Sequence, residues 1–189
     1  MNQKTRRLTY TAMFAVINYI VFTFGKINVP TAPGHSVAIH LANASVVLSA
    51  WFLGPVYGGL ASAVGLSIAD FLDPRYILSA PKTFLMKFLI AYIAGRSAEK
   101  MKLHEKTERK EITRICAISS ALGLGFNVIF DPIIGYFYKS IVLRIPQEFM
   151  KIIVTWTAGV TALNAVISLF VSVILYLALY KAFLSKIPE

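Results

Sequence analysis

The sequence predicts an all-α integral membrane protein with six transmembrane helices, and two observations favour this class. Of its 189 residues, 57% are hydrophobic and only 15% are charged, whereas soluble domains have about 25% charged residues. Residues 27–69 include no Asp, Glu, Lys or Arg. This segment is long enough for two helices, since one helix needs about 20 residues to cross a bilayer. We therefore expect a single membrane domain over residues 1–189, without room for a soluble catalytic domain.

A turn at Gly54-Pro55 is expected to divide the uncharged segment into two arms. Glycine is common just after a helix ends, and proline is favoured at the first position of the next helix. We therefore predict a transmembrane hairpin with spans at residues 37–53 and 56–71. The second arm is rich in small residues, which let helices pack closely in lipid. They are Gly58, Gly59, Ala61, Ser62, Ala63, Gly65, Ser67 and Ala69.

Four further apolar segments complete the predicted bundle. The expected spans are residues 8–25, 82–98, 115–138 and 152–180. Residues 28–36 are predicted to form a connector between the first two spans, because this stretch contains two prolines and a glycine. An interruption is expected in the fifth span at Asp131-Pro132, because proline lacks the N–H that continues a helix.

The distribution of basic residues predicts the orientation. Twelve Lys and Arg residues lie near the two termini and in segment 96–114, against seven in the other loops and in span four. The cytoplasmic side carries the excess of basic residues, so both termini are expected in the cytoplasm. The formal net charge of +10 is explained by this topology and by contact with anionic lipid, and it does not indicate nucleic-acid binding.

The sequence contains no enzyme motif of the common kinds. It lacks the H-E-x-x-H and G-x-S-x-G patterns and the Walker loop. Its one cysteine, Cys116, excludes an intramolecular disulfide and a cysteine metal cluster. We predict no enzymatic activity, no cofactor and no metal site. The alternatives are a small membrane enzyme using Asp70, Asp73 and Asp131, and a stand-alone channel or carrier.

Five residues in spans four to six predict a pocket in the outer half of the membrane. Ionisable groups inside a bilayer are costly and therefore mark candidate sites. The candidates are Lys87 in span four and Asp131 in span five. Asn127 lies one turn before Asp131 on the same face, and Trp156 and Asn164 share a face of span six. Such a set suits a small polar, aromatic solute better than a metal ion.

Each of these five residues has a structural alternative. Lys87 and Asp131 could form a pair that only neutralises two buried charges. Trp156 could anchor its helix at the membrane interface. Asn127 and Asn164 could join helices through hydrogen bonds.

Other polar residues are interpreted by their positions. Lys82 is expected to extend toward the lipid headgroups, and Asp70 to mark the membrane interface. His35, in the first outer loop, is a further candidate for ligand binding. His40 and Asn43 share a face of span two and could serve in packing.

Four stretches of the sequence resemble the S components of energy-coupling factor (ECF) transporters. They are Gly34-His35 with Ala38–Leu41, Phe52–Gly59, Ala69–Leu72 and Ala80–Phe88. The predicted number of spans and the chain length also resemble this family. Its riboflavin and hydroxymethylpyrimidine/pyridoxine branch is the most similar.

The resemblance implies a vitamin-binding subunit in the prokaryotic plasma membrane. Such a subunit captures its substrate from outside, at the outer ends of spans four to six, and docks on a transmembrane T subunit that carries two ATPases. The implied substrate is similar to hydroxymethylpyrimidine or pyridoxine, with riboflavin and pantothenate as alternatives. Small residues on the first span contact the T subunit in this family. Thr11 and Ala15 match that pattern, with Thr in place of the usual Ala.

Overall fold

A computed structural model describes residues 2–32 and 35–184, with side chains as far as residue 182. Five long helices and a two-stranded antiparallel sheet make up most of this part. In chain order they are α1 (Gln3–Phe24), β1 (Lys26–Ala32), β2 (His35–His40), α2 (Ala42–Phe71), α3 (Ala80–Lys100), α4 (Arg109–Phe137) and α5 (Gln147–Leu184). Two 3₁₀ turns (Ile77–Ser79 and Leu103–Glu105) and a π-helical turn (Tyr138–Val142) lie in the connections.

Five helices in the described part of the chain are long and apolar enough to cross a membrane. The predicted all-α membrane class is therefore confirmed as far as a mostly helical chain with several apolar helices, while the six predicted crossings stay a prediction. Of the basic residues that were used to predict orientation, Lys186 lies outside the described residues.

Helix α2 is broken at Gly54. This residue has φ 81° and ψ 172°, a conformation that glycine adopts far more readily than other residues. A Cβ placed on Gly58 would lie 2.5 Å from the Cα of Ala50. In a straight helix these two residues, eight positions apart, would be separated by about 12 Å along the axis. Asn43 and Asp70, near the two ends of α2, line one cavity. The chain therefore folds back, and the predicted turn is confirmed at Gly54.

The two arms of α2 differ in length. The second arm, residues 55–71, agrees with the predicted span 56–71. The first arm begins at residue 42, because residues 37–40 belong to β2. The helix predicted to begin at residue 37 was therefore wrong at its start. Because a helix rises about 1.5 Å per residue, the first arm alone is too short to cross the hydrocarbon core of a bilayer.

Strands β1 and β2 form a hairpin over residues that were expected to form a connector and the start of a helix. The register pairs Lys26 with His40, Ile27 with Ile39, Asn28 with Ala38, Val29 with Val37 and Pro30 with Ser36. Apolar β-branched residues alternate with other residues on both strands, a pattern typical of strands. The all-α prediction was wrong here, because the two prolines and the glycine were interpreted as a connector and the alternation on either side, which favours half-buried strands, was not used.

The remaining helices contain most of the other predicted spans. α4 continues through Pro132, so the interruption expected there was wrong. The irregular backbone comes one to two turns later, in the π-helical turn at Tyr138–Val142.

Aromatic and small side chains fill the half of the bundle that contains Gly54, which we call the turn end. Trp51 is 1% exposed, and its Nε1–H donates to the Ser119 hydroxyl at 2.9 Å. Its ring packs on the ring of Tyr176 in a T-shaped arrangement, with the centroids 5.3 Å apart. The ring of Phe52 packs on the same tyrosine with the centroids 5.1 Å apart. The opposite half, which contains β1 and β2, is the cavity end.

Candidate functional site

The cavity end contains a partly open space of about 120 Å³. Its wall is formed by β2 and by residues of all five helices. Charged side chains are rare inside proteins, yet several line this space. They are Lys82, Lys87, Lys139, Asp70 and Asp131.

An ion pair joins α3 to α4 in the cavity wall. The Lys82 Nζ lies 2.8 Å from the Asp131 Oδ1, and the two side chains are only 12% and 16% exposed. The Thr161 hydroxyl of α5 donates to the other oxygen of Asp131 at 3.2 Å. Lys82 was expected to extend to the headgroups, and this was wrong, because Asp131 holds it inside.

Lys87 has a different partner from the one considered in the sequence. Its Nζ donates to the Asn43 Oδ1 at 2.6 Å, so the direct pair of Lys87 with Asp131 was wrong. Lys82 takes the place of Lys87 as the partner of Asp131, and it lies about one and a half turns closer to the start of α3. Both lysines still line the same cavity as Asp131.

Asn164 lines the cavity while holding β2 against α5. Its Oδ1 accepts from the backbone N–H of His40 at 3.0 Å, and its Nδ2 donates to the Ala38 carbonyl at 2.9 Å. The asparagine is 3% exposed. It joins elements through hydrogen bonds, as the structural alternative supposed, but it joins a helix to a strand.

Two buried oxygen atoms in the cavity wall have no hydrogen-bond partner among the described residues. One is the Asn127 Oδ1 and the other is the Asp70 Oδ1. The residues are 3% and 4% exposed, respectively. The second oxygen of Asp70 accepts from the Thr83 hydroxyl at 2.5 Å. Buried polar atoms are nearly always paired in proteins, so each exception requires an explanation.

Two of the six predicted binding residues lie outside the cavity wall. Trp156 is 49% exposed, and the α5 face in the wall is formed by Thr157, Val160, Thr161 and Asn164. The α5 face in the wall is centred about one residue closer to the C-terminus than the predicted face, which contained Trp156 and Asn164. His35, at the start of β2, is also outside the wall. The structure therefore brings together Lys87, Asn127, Asp131 and Asn164.

Other wall residues were not among the predicted binding residues. Among them are the charged residues Asp70, Lys82 and Lys139 and the amide residue Asn43. A signal for Asp70 was present, since an acidic residue directly after a long uncharged segment is a candidate by its cost in the membrane. It was instead interpreted as an interface marker.

Side chains of the loop after α2 hold β1 in place by an ion pair and a hydrogen bond. Lys26 forms an ion pair with Asp73 at 2.7 Å, and the Tyr76 hydroxyl donates to the Asn28 Oδ1 at 2.7 Å. A hydrogen bond from Arg75 lowers the pKa of Asp73, while burial raises the pKa of Tyr76 to about 12. Asp73 therefore stabilises this loop at neutral pH, and the contribution is lost as the pH falls through its lowered pKa.

Thr11 and Ala15 lie on the side of α1 that is partly buried. The Thr11 hydroxyl donates to the Arg7 carbonyl of its own helix at 2.8 Å. The carbonyl of Ala15 packs so closely on Gly65 that a Cβ on that glycine would overlap it. This face of α1 therefore already takes part in packing on α2.

No group of three His, Cys, Asp or Glu residues suited to a metal ion occurs in residues 2–32 and 35–184. The wall offers lysine, carboxylate, amide and hydroxyl groups instead. Such groups can hold a polar organic molecule by hydrogen bonds and charge.

Comparison with known proteins gives a family match and a structural match. The family model described as "ECF-type riboflavin transporter, S component" matches residues 2–181. A solved structure described as the S component of a bacterial ECF transporter aligns with 94% of this chain and 97% of its own, with a TM-score of 0.61 and 18% identity. That likeness shows a shared fold. No curated protein matches the chain.

Proposed function

Because the chain belongs to the S-component family of ECF-type riboflavin transporters, and is thus a membrane substrate-binding subunit, we propose that its substrate is a single-ring vitamin or vitamin precursor. Hydroxymethylpyrimidine and pyridoxine represent this substrate class. The cavity at one end of the bundle is the proposed binding site. Lys87, Asn127 and Asp131 are its proposed contacts, and Asn164 supports the wall.

The size of the cavity carries this proposal. Pockets for drug-sized ligands usually enclose about 300–1,000 Å³, and this one encloses about 120 Å³. A space of that size suits one ring with small substituents better than the three fused rings and sugar-alcohol chain of riboflavin. The wall is also rich in charged and amide groups, which suits a small polar molecule.

Mass spectrometry of ligand released from the purified full chain tests the substrate class. We expect a single-ring vitamin or precursor, and isothermal titration should then give tight binding of that compound. Riboflavin as the released ligand, with tight binding of riboflavin alone, would contradict the single-ring assignment and agree with the name of the family model. Purified protein that binds none of these vitamins would contradict vitamin binding as a whole.

We further propose six membrane crossings with both termini in the cytoplasm of a prokaryotic cell. The two arms of α2 would count as separate crossings, with β2 extending the short first arm. A Cβ on Gly54 would lie 3.3 Å from the Glu99 carboxylate, so the turn is near the start of the basic segment 99–114. A tag at residues 105–108 should be inaccessible from outside intact cells, and external labelling of that tag would contradict this topology.

We also propose that the protein assembles with a T subunit and two ATPases through α1. Thr11 and Ala15 are the proposed docking residues, because both are only partly buried and part of each side chain stays accessible beside the contact with α2. Ala15→Trp should reduce assembly and uptake while ligand binding persists, and co-purification measures this. Ala12→Trp is the matched variant, because Ala12 is exposed whereas Ala15 packs on Gly65. Normal assembly of the Ala15→Trp protein would contradict docking through this face.

A further inference from the structure

One carboxyl group in the cavity wall has an acceptor atom without a partner. Asp70 lies near the end of the second arm of α2 and is 4% exposed. Its Oδ2 accepts from Thr83, but its Oδ1 has no hydrogen-bond partner among the described residues. A buried acceptor without a partner costs free energy, so a purely structural role for Asp70 leaves this oxygen unexplained.

The nearby lysines do not explain why Asp70 is a carboxylate. Lys82 bonds to Asp131, Lys87 donates to Asn43, and Lys26, outside the cavity wall, pairs with Asp73. Lys139 also lines the cavity and forms no ion pair with Asp70 in the described part of the chain. Within the described residues, Asp70 has no ion pair of its own. A threonine partner alone does not require a carboxyl group, since a neutral asparagine could accept the same hydrogen bond.

A second unpartnered acceptor lines the same cavity. The Asn127 Oδ1 comes from α4 and is also without a hydrogen-bond partner in the described part of the chain. Two residues from different helices, each with a buried acceptor that lacks a partner, therefore line one space of about 120 Å³. Acceptors of this kind are satisfied by N–H or O–H groups of a ligand.

We propose that Asp70 is a substrate-binding residue that, with Asn127, selects a ring carrying amino or hydroxyl hydrogen-bond donors. This inference rests on the proposed single-ring substrate. A ligand without the donors would leave both oxygens buried and unpaired, and sites of this kind discriminate strongly against such analogues. The cavity therefore favours an aminopyrimidine or a hydroxypyridine over a ring whose polar atoms are mainly acceptors.

A pair of ligands tests the proposal without any mutation. The probes are hydroxymethylpyrimidine, which carries a ring amino group, and its analogue with hydrogen in place of that group. Isothermal titration of the purified full chain should show at least about tenfold weaker binding of the analogue. Equal affinities for the two probes would overturn the proposal.

The variant Asp70→Asn then tests whether the carboxyl group makes the contact. It preserves the size of the side chain and an acceptor for Thr83. Binding of the amino compound should weaken about tenfold or more, while binding of the analogue should not weaken further. Equal weakening for both probes would indicate a structural role and overturn the proposal. Glu99→Gln, the same change in an exposed ion pair with Arg96, should leave both affinities unchanged.

The result separates this inference from the proposed function. Wild-type protein that binds hydroxymethylpyrimidine regardless of its amino group would overturn the inference alone. Wild-type protein that binds riboflavin and neither probe would overturn the single-ring substrate and the inference together.

Discussion

The two ends of the bundle bury different kinds of polar groups. At the turn end the buried partners are neutral: Ser49 donates to the Ser45 carbonyl at 2.7 Å and accepts from the Asn18 amide of α1 at 3.0 Å. At the cavity end they include charged side chains, since Lys82 pairs with Asp131 across two helices.

This difference separates the part that defines the fold from the part that binds. Small and aromatic side chains at the turn end pack tightly and leave few demands for further partners. The cavity end keeps charges and two unpartnered oxygens in its wall, which lowers stability unless a ligand joins them. Ligand binding should therefore stabilise the protein against unfolding by mass action.

The largest expected effect comes from Lys82→Met, which leaves Asp131 buried without its cation. Removing one partner of a buried ion pair costs about 3–5 kcal/mol, so thermal unfolding in detergent should occur at a markedly lower temperature. Adding Asp131→Asn should recover the stability without recovering ligand binding, because the double variant contains neither charge.

Arg96→Met is the matched control for this pair. Arg96 and Glu99 are 56% and 39% exposed, and exposed ion pairs contribute about 0–1 kcal/mol. If Lys82→Met destabilises the protein no more than Arg96→Met does, the buried ion pair contributes no more stability than an exposed one. The proposed contrast between the two ends would then be wrong for this pair.

The next effect is expected at the turn end, from Gly58→Ala. The new Cβ would lie 2.5 Å from the Cα of Ala50, and overpacking of this kind costs about 1–3 kcal/mol. The measurement is again thermal unfolding, with Gly125→Ala as control. A Cβ on Gly125 meets nothing within 4 Å, so that change should stabilise its helix slightly. Equal effects of the two changes would argue against close packing of the two arms of α2.

A moderate effect is expected from Asn164→Ala, which releases β2 from α5. The variant loses two hydrogen bonds, to His40 and Ala38, each contributing about 0.5–1.5 kcal/mol. Hydrogen exchange at the His40 amide should become faster, and ligand should dissociate faster. Thr157→Ala is the control on the same face, because its hydroxyl bonds only to the Ile153 carbonyl of its own helix. Unchanged exchange in Asn164→Ala would contradict the role of Asn164 as a link to β2.

The smallest effect is expected from Trp156→Ala. This side chain is 49% exposed and lies outside the cavity wall, so ligand affinity should change by less than about twofold. Isothermal titration measures the change, and Trp156→Phe shows how much depends on an aromatic ring alone. A tenfold loss of affinity in Trp156→Ala would restore the sequence-based assignment of this residue to the binding site.

Part of the candidate site was predictable because intramembrane polar residues are few. Lys87 and Asp131 were predicted from their cost in lipid and Asn127 from its place one turn before Asp131 on the same face. All three line one cavity in the structure. Their partners were not predictable. Asp131 contacts Lys82, 49 positions away in the chain, and helical spacing along one span does not specify which residue of another span it meets.

Local chemistry in the sequence determined the membrane class and the turn in α2. A long uncharged segment has to cross or line a bilayer, and Gly54-Pro55 is a local signal that needs no distant contact. Strands β1 and β2 pair over at most 14 positions, but tertiary structure decided how they are held, which lysine Asp131 binds and where Asn164 directs its amide. These contacts join residues far apart in the chain, such as Asn164 with Ala38, 126 positions away. Only packing of the bundle brings such partners together, because a hydrogen bond forms only within about 3 Å.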